Sequence, residues 1–118
     1  MSRTCVLIVD DEEDVCEAVK DAVELTGCSA VTASNGVEGL RVAREQSPCL
    51  VIVDLVMPEM SGGEMIEQMR HDPELSQLPV VISTSAPEQA PKGIPVLAKP
   101  MDLKLLHAWI RRSCDCGT

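Results

Sequence analysis

Val6-Leu7-Ile8-Val9-Asp10-Asp11 is a continuous apolar run that stops on two adjacent acids. Leu50-Val51-Ile52-Val53-Asp54 repeats the pattern, Thr84 closes a third run, and Lys99, followed by Pro100, closes a fourth. Unbroken apolar runs of this length suit strands buried on both faces, as in a parallel sheet. Each run finishes on an acid, a hydroxyl or an ammonium. In open α/β sheets, ligands and chemistry gather at the carboxyl ends of the strands. The four endings therefore predict one site assembled along one edge of such a sheet.

Outward from these runs, two periodicities alternate. The first strand is expected over residues 4–9. From Asp14, Val15, Ala18, Val19, Ala22 and Leu25 recur at helical spacing, and Gly27 is placed to end that helix. Residues 29–33 form a second strand, at an edge because Ser29 and Thr32 dilute it. Asn35-Gly36 signals a turn, after which Val37, Leu40, Val42 and Ala43 resume a helical stripe. A third strand covers 49–53, and a helix with Met65, Ile66 and Met69 inward runs towards Asp72-Pro73. Strands at about 79–83 and 94–98 and a last helix at about 102–112 complete the chain. Such alternation gives right-handed crossovers and a parallel sheet covered on both faces. The connection from Ser85 to Gly93 is the exception. It contains two prolines and is too short for a normal parallel crossover, so at most one or two helical turns fit around Glu88-Gln89-Ala90.

At 118 residues the length fits one domain, residues 1–118, with a core from about 4 to 112 and a tail at 113–118. With one Trp and neither Tyr nor Phe, the core must be built from aliphatic residues and Met. The formal charge of −9 argues against direct binding to nucleic acid or an anionic membrane surface. No window has the length of a membrane span and no signal peptide is evident, so the expected location is cytoplasmic. The six cysteines do not read as a disulfide framework: Cys5, Cys16, Cys28 and Cys49 read as small buried hydrophobes in a reducing compartment. Cys114 and Cys116 read as part of a frayed tail, with no second ligand pair nearby to make a zinc site.

Asp10 and Asp11 sit where the chain turns, and both can approach Asp54 on the neighbouring strand. Three carboxylates brought together call for a hard divalent cation, and an all-oxygen set favours Mg²⁺ or Mn²⁺. The run Asp10-Asp11-Glu12-Glu13-Asp14 is equally a good acidic helix start. Asp54 has no such capping role. Lys99 adds a fixed positive charge and Thr84 a hydroxyl, a set that can hold a phosphoryl group transferred in line to Asp54.

Val9-Asp10-Asp11, Asp54-Leu55-Val56-Met57-Pro58, Gly62, Pro79 through Thr84 and Lys99-Pro100, in this order and spacing, resemble the receiver domains of bacterial two-component response regulators. The resemblance runs from about Thr4 to Arg112. It implies a flavodoxin-like, doubly wound five-stranded parallel sheet in the order 2-1-3-4-5, with the helix between strands four and five shortened or missing. It implies Asp54 as phosphoacceptor from a sensor histidine kinase or phosphotransfer protein. Asp11, Asp54 and the backbone carbonyl of Val56 would ligate Mg²⁺, and Asp10 would act through water. Thr84 and Lys99 would engage the phosphoryl oxygens. The Lys99-Pro100 bond is often cis in the family. Beyond its own phosphorylation and slow autodephosphorylation no enzymatic activity is implied. Output would run through protein–protein contacts, and a homodimer is among the assemblies the resemblance allows.

Three departures stand out. Val96 occupies the place of the aromatic that usually accompanies the switch. The shortened fourth crossover alters a surface on which relatives dimerise or meet targets. Val56 and Ala86, two residues beyond Asp54 and Thr84, are apolar and cannot position a hydrolytic water. The missing aromatic and the short fourth crossover favour an alternative, a degenerate receiver that binds partners independently of phosphate; the intact set of acids, Thr84 and Lys99 opposes it. A phosphohydrolase acting through Asp54 would need a general acid where Val56 stands.

Overall fold

The computed structural model describes residues 5–116. In chain order it contains β1 (Cys5–Val9), α1 (Glu13–Glu24), β2 (Ser29–Ala33), α2 (Gly36–Gln46), β3 (Leu50–Asp54) and α3 (Gly62–Arg70). Then come β4 (Val80–Thr84), a single 3₁₀ turn (Pro87–Gln89), β5 (Val96–Ala98) and α4 (Leu103–Ser113). The strands pair in parallel in the order β2-β1-β3-β4-β5. This is the flavodoxin-like sheet expected, with β2 at an edge and, among the described residues, four helices in place of five. The Ser85–Gly93 connection carries only the 3₁₀ turn, as its length requires.

Alternation along each strand divides the core into two layers. Val6, Ile8, Leu50, Ile52 and Val81 face α1 and α4, where they meet Cys16, Val19, Val23, Leu106 and Ile110. Leu7, Val9, Val51, Val53 and Ile82 face α2 and α3 and pack on Leu40, Ala43, Met65, Ile66 and Met69. Unbranched Met side chains on α3 fill the space that aromatic rings would otherwise occupy. Trp109 is partly buried against the first layer, with the Arg112 guanidinium 4.9 Å from its ring centroid.

Local polar chemistry starts three of the helices. Asn35, which the sequence marks only as a turn, caps α2 by accepting the Glu38 N–H at 2.9 Å. Ser61 and Glu64 form a reciprocal capping box at α3. Asp102 caps α4 by accepting the Lys104 N–H at 2.8 Å.

The structure corrects several expectations. β3 and β4 each run one residue further than expected, so Asp54 and Thr84 are the last residues of their strands. Leu25 is 83% exposed, and Ala18 and Val37 also face outward. The buried stripe of α1 is Cys16, Val19, Ala22 and Val23, a phase that turns Ala18 away from the sheet. Leu25 lies just past the helix, where the chain turns towards Gly27 (φ 97°).

The cysteines require the largest correction. Cys28 is bonded to Cys116 and Cys49 to Cys114, with Cα–Cα distances of 4.9 and 5.2 Å. Cys114 is buried in the core, so residues 113–116 are no frayed tail. Of the four cysteines expected as buried thiols, Cys5 and Cys16 are free and buried, whereas Cys28 and Cys49 are disulfide-bonded. The partners lie 88 and 65 residues apart in sequence, and their proximity is created by the sheet. Among the described residues, no helix is long and apolar enough to cross a membrane.

Candidate functional site

Strand register places the site residues side by side. Val9 pairs with Val53, so the chain leaves β1 at Asp10 next to Asp54 at the end of β3. Asp54 pairs with Ser83, and Thr84 pairs with Ala98, which brings Lys99 to the same edge. The Lys99 N–H donates to the Thr84 carbonyl at 2.8 Å, and the following Lys99–Pro100 bond is cis, as the resemblance implied.

Asp10, Asp11 and Asp54 each offer a carboxylate oxygen, and these atoms lie within 4.8 Å of one another. Asp10 and Asp54 are buried at 4% and 7% exposure, while Asp11 is exposed at the mouth of the site. The Asp10 backbone N–H donates to the Ala33 carbonyl at 3.0 Å, and Asp10 Oδ1 accepts the Glu12 N–H at 2.9 Å. Those bonds hold Asp10 across the sheet edge. Glu12, the residue preceding α1, makes no side-chain cap; Glu13 and Asp14 supply the acids of the first helical turn. The acidic run is thus divided, its front half facing Asp54 and its back half starting the helix.

Lys99 Nζ donates to Asp10 Oδ2 at 2.9 Å and lies 3.7 Å from Asp54 Oδ2. One ammonium therefore contacts two of the three carboxylates. Burial and the nearby Asp10 charge push the Asp54 carboxyl above its ordinary value, against the lowering effects of Lys99 and the Val56 N–H. Burial alone would push Lys99 down, but its bond to Asp10 and the charges of Asp10 and Asp54 outweigh this and raise it. A divalent cation fits such a donor set: the ligand atoms are all oxygen, converge, and carry uncompensated negative charge.

Thr84 is buried, and its Oγ1 accepts the Ala86 N–H at 3.0 Å, leaving its own proton free to donate. That bond keeps Ala86 beside the site despite the short crossover. Val56 is 66% exposed over the site and brings no polar side-chain atom to it. Val96 is partly buried against the α2–α3 layer, so no aromatic ring stands at the switch position.

Two features of this edge exceed what the sequence indicated. Gly62, named there only among the residues that carry the resemblance, donates its N–H to the Leu55 carbonyl at 3.0 Å and passes so close to Asp54 that a Cβ would collide with the Asp54 carbonyl oxygen. Backbone contact of this kind admits only glycine. Beside Lys99, an apolar groove of about 360 Å³ opens between α1 and the β5–α4 connection, lined by Val15, Val19, Ser83, Pro100 and Met101. It combines residues from three segments, so no local motif announces it.

Comparison with known proteins places this geometry. The model of the response regulator receiver domain matches residues 6–111. The polar-differentiation response regulator DivK of Brucella anthropi is 36% identical over 80 residues, 68% of this chain and 65% of the relative. The match therefore spans just under two thirds of that relative's length. Among solved structures, the response regulator receiver protein of Pseudomonas putida superimposes with a TM-score of 0.83 at 27% identity, over 95% of this chain and 98% of the other. The chemotaxis protein CheY4 of Vibrio cholerae gives 0.82 at 26% identity, over 95% and 99%. With the family model covering nearly its whole length and the same sheet order and acidic edge in place, the chain belongs to the response regulator receiver domain family.

Proposed function

We propose that the protein is a phosphoacceptor receiver whose Asp54 takes a phosphoryl group from a sensor histidine kinase or phosphotransfer protein in a Mg²⁺-dependent reaction. The observation that carries this reading is the convergence of Asp10, Asp11 and Asp54 within 4.8 Å under the single ammonium of Lys99. Asp11, Asp54 and the Val56 carbonyl would hold the cation, with Asp10 acting through water. When bound, Mg²⁺ supplies positive charge for the carboxylates and the incoming phosphoryl oxygens. A carboxylate oxygen of Asp54 attacks the phosphorus, the O–P bond forming as the P–N bond of the donor's phosphohistidine breaks and its imidazole leaves. Lys99, already between Asp10 and Asp54, neutralises charge on the phosphoryl group, and Thr84 Oγ1 donates to one of its oxygens. The receiver family acts on its own phosphorylation state, so no external substrate is assigned.

The output is signalling by protein–protein contact. Because Val96 replaces the usual aromatic, Thr84 and Lys99 must transmit phosphorylation through β4, β5 and the adjoining groove without a moving ring. A phosphate-independent binding module draws support from Val96 and the single-turn crossover, but it gives no reason for Lys99 to be held against a buried carboxylate pair.

The experiment is to incubate the chain with acetyl phosphate and Mg²⁺, trap the acyl phosphate with borohydride, and map the peptides. Modification confined to Asp54 supports the assignment. Modification elsewhere, or none, contradicts it.

A further inference from the structure

At the opposite edge of the sheet lies a second concentration of chemistry. Cys28 immediately precedes β2, Cys49 immediately precedes β3, and Cys114 and Cys116 follow α4. The Sγ atoms of Cys28, Cys114 and Cys116 lie within 4.8 Å of one another, and Cys49 is bonded to Cys114, so the four sulfurs form one group. Cys28, Cys49 and Cys114 are buried, and Cys116 is half-buried.

We propose that the reduced chain uses Cys28, Cys49, Cys114 and Cys116 as a structural Zn²⁺ site, which the two disulfides replace on oxidation. Thiolates about 2.3 Å from a tetrahedral zinc ion lie about 3.8 Å apart. The sulfurs of Cys28, Cys114 and Cys116, already within 4.8 Å of one another, can reach that spacing by side-chain rotation, and Cys49, bonded to Cys114, joins them from outside that trio. Cys49 must rotate most, because its Sγ now lies 3.2 Å from the Cys5 carbonyl oxygen, a poor neighbour for a thiolate. The donors come from three separate segments. Zinc would therefore pin the end of α4 to the starts of β2 and β3, the same connection the disulfides make. An all-sulfur set selects a soft or borderline cation, whereas the Asp10–Asp11–Asp54 set offers only oxygen, so the two sites do not compete for one ion.

The redox step balances. Reducing both disulfides takes four electrons and four protons from two molecules of a dithiol reductant, each of which becomes a disulfide. Zinc then displaces the thiol protons as it binds. Oxidation by a disulfide-class oxidant reverses the electron flow and releases the ion. Cys116, the most accessible of the four, is where external attack begins.

The test is to reduce the chain with a dithiol, remove the reductant anaerobically, and titrate with Co²⁺ and then Zn²⁺ while recording absorbance and circular dichroism. The expected result is one tetrahedral cobalt site per chain with thiolate charge-transfer bands, displaced by one zinc. The oxidised chain, lighter by four hydrogens, should bind neither. Cys28→Ser and Cys116→Ser should lose most of the charge-transfer intensity, and Cys5→Ala should retain it. If reduction unfolds the chain, zinc should restore the fold. Absence of cobalt bands in a folded reduced chain, bands unchanged in both serine variants, or a reduced chain that zinc fails to refold would each overturn the proposal.

Discussion

Lys99 Nζ is bonded to Asp10 Oδ2 at 2.9 Å, a shorter contact than its 3.7 Å approach to Asp54 Oδ2. The ammonium is therefore held on Asp10, within reach of Asp54, the proposed phosphoacceptor. Phosphorylation of Asp54 would place oxygens where they compete with Asp10 for this charge.

Lys99→Ala should leave Mg²⁺ affinity unchanged or slightly raised, because a cation opposing metal entry is gone. Phosphorylation by acetyl phosphate should slow by about 10- to 100-fold, somewhat less than the loss of a preorganised oxyanion donor elsewhere. Calorimetric Mg²⁺ titration and the rate of phosphoryl mass gain measure the two effects separately. A variant equal to wild type in both would make Lys99 a bystander.

Mg²⁺ binding should depend on the carboxylates that converge at the site. Asp11→Asn and Asp54→Asn should each weaken it by at least about tenfold, since even outer partners of metal ligands are commonly worth ~10–100-fold. Isothermal titration decides the matter, and unchanged affinity in both variants rules out this metal assignment.

Polar substitution should be poorly tolerated beneath the site. Ile8 and Val53 lie at 2% and 0% exposure in the two central strands and face opposite layers. Ile8→Ser and Val53→Ser each combine lost packing with a buried hydroxyl, for an expected destabilisation of at least about 2 kcal/mol. Urea denaturation should show clearly lower midpoints, and wild-type midpoints would contradict the packing described.

Phosphorylated protein should decay slowly. Val56 and Ala86 flank the site with no side-chain group to orient water, and the Ala86 N–H bond to Thr84 Oγ1 keeps Ala86 in place. Positioned acid–base assistance is worth ~10²–10⁴ in rate, of which orientation of water supplies a part. Val56→Asn or Ala86→Glu should therefore speed loss of the phosphoryl mass by about tenfold. Rapid decay in wild type, or no acceleration in either variant, would show that another feature controls water access.

The fold and the gathering of Asp10, Asp11, Asp54, Thr84 and Lys99 at one sheet edge were legible because both depend on local runs. A buried parallel strand must be apolar throughout, and a strand that ends in a site must change character abruptly, as at Val53–Asp54 and Val9–Asp10. Ser29 and Thr32 marked an edge strand for the same reason. The cysteine pairs were not legible. Cys28 and Cys49 blend into apolar segments, and nothing local reveals that the starts of β2 and β3 meet the end of α4. Ala18 and Val37 misled because short helices permit more than one phase, which only packing on the sheet selects, and Leu25 because the helix ends before it. Gly62 gave no sign that its missing side chain makes room for the Asp54 backbone.

The most direct test of Asp54 as a cation-dependent phosphoacceptor is the intact mass of the chain after incubation with acetyl phosphate. Wild type with Mg²⁺ should gain one phosphoryl group, and the gain should vanish when a chelator removes the cation or when Asp54→Ala removes the nucleophile. Equal gain in Asp54→Ala, or no gain by the folded wild type with Mg²⁺ present, would contradict the account.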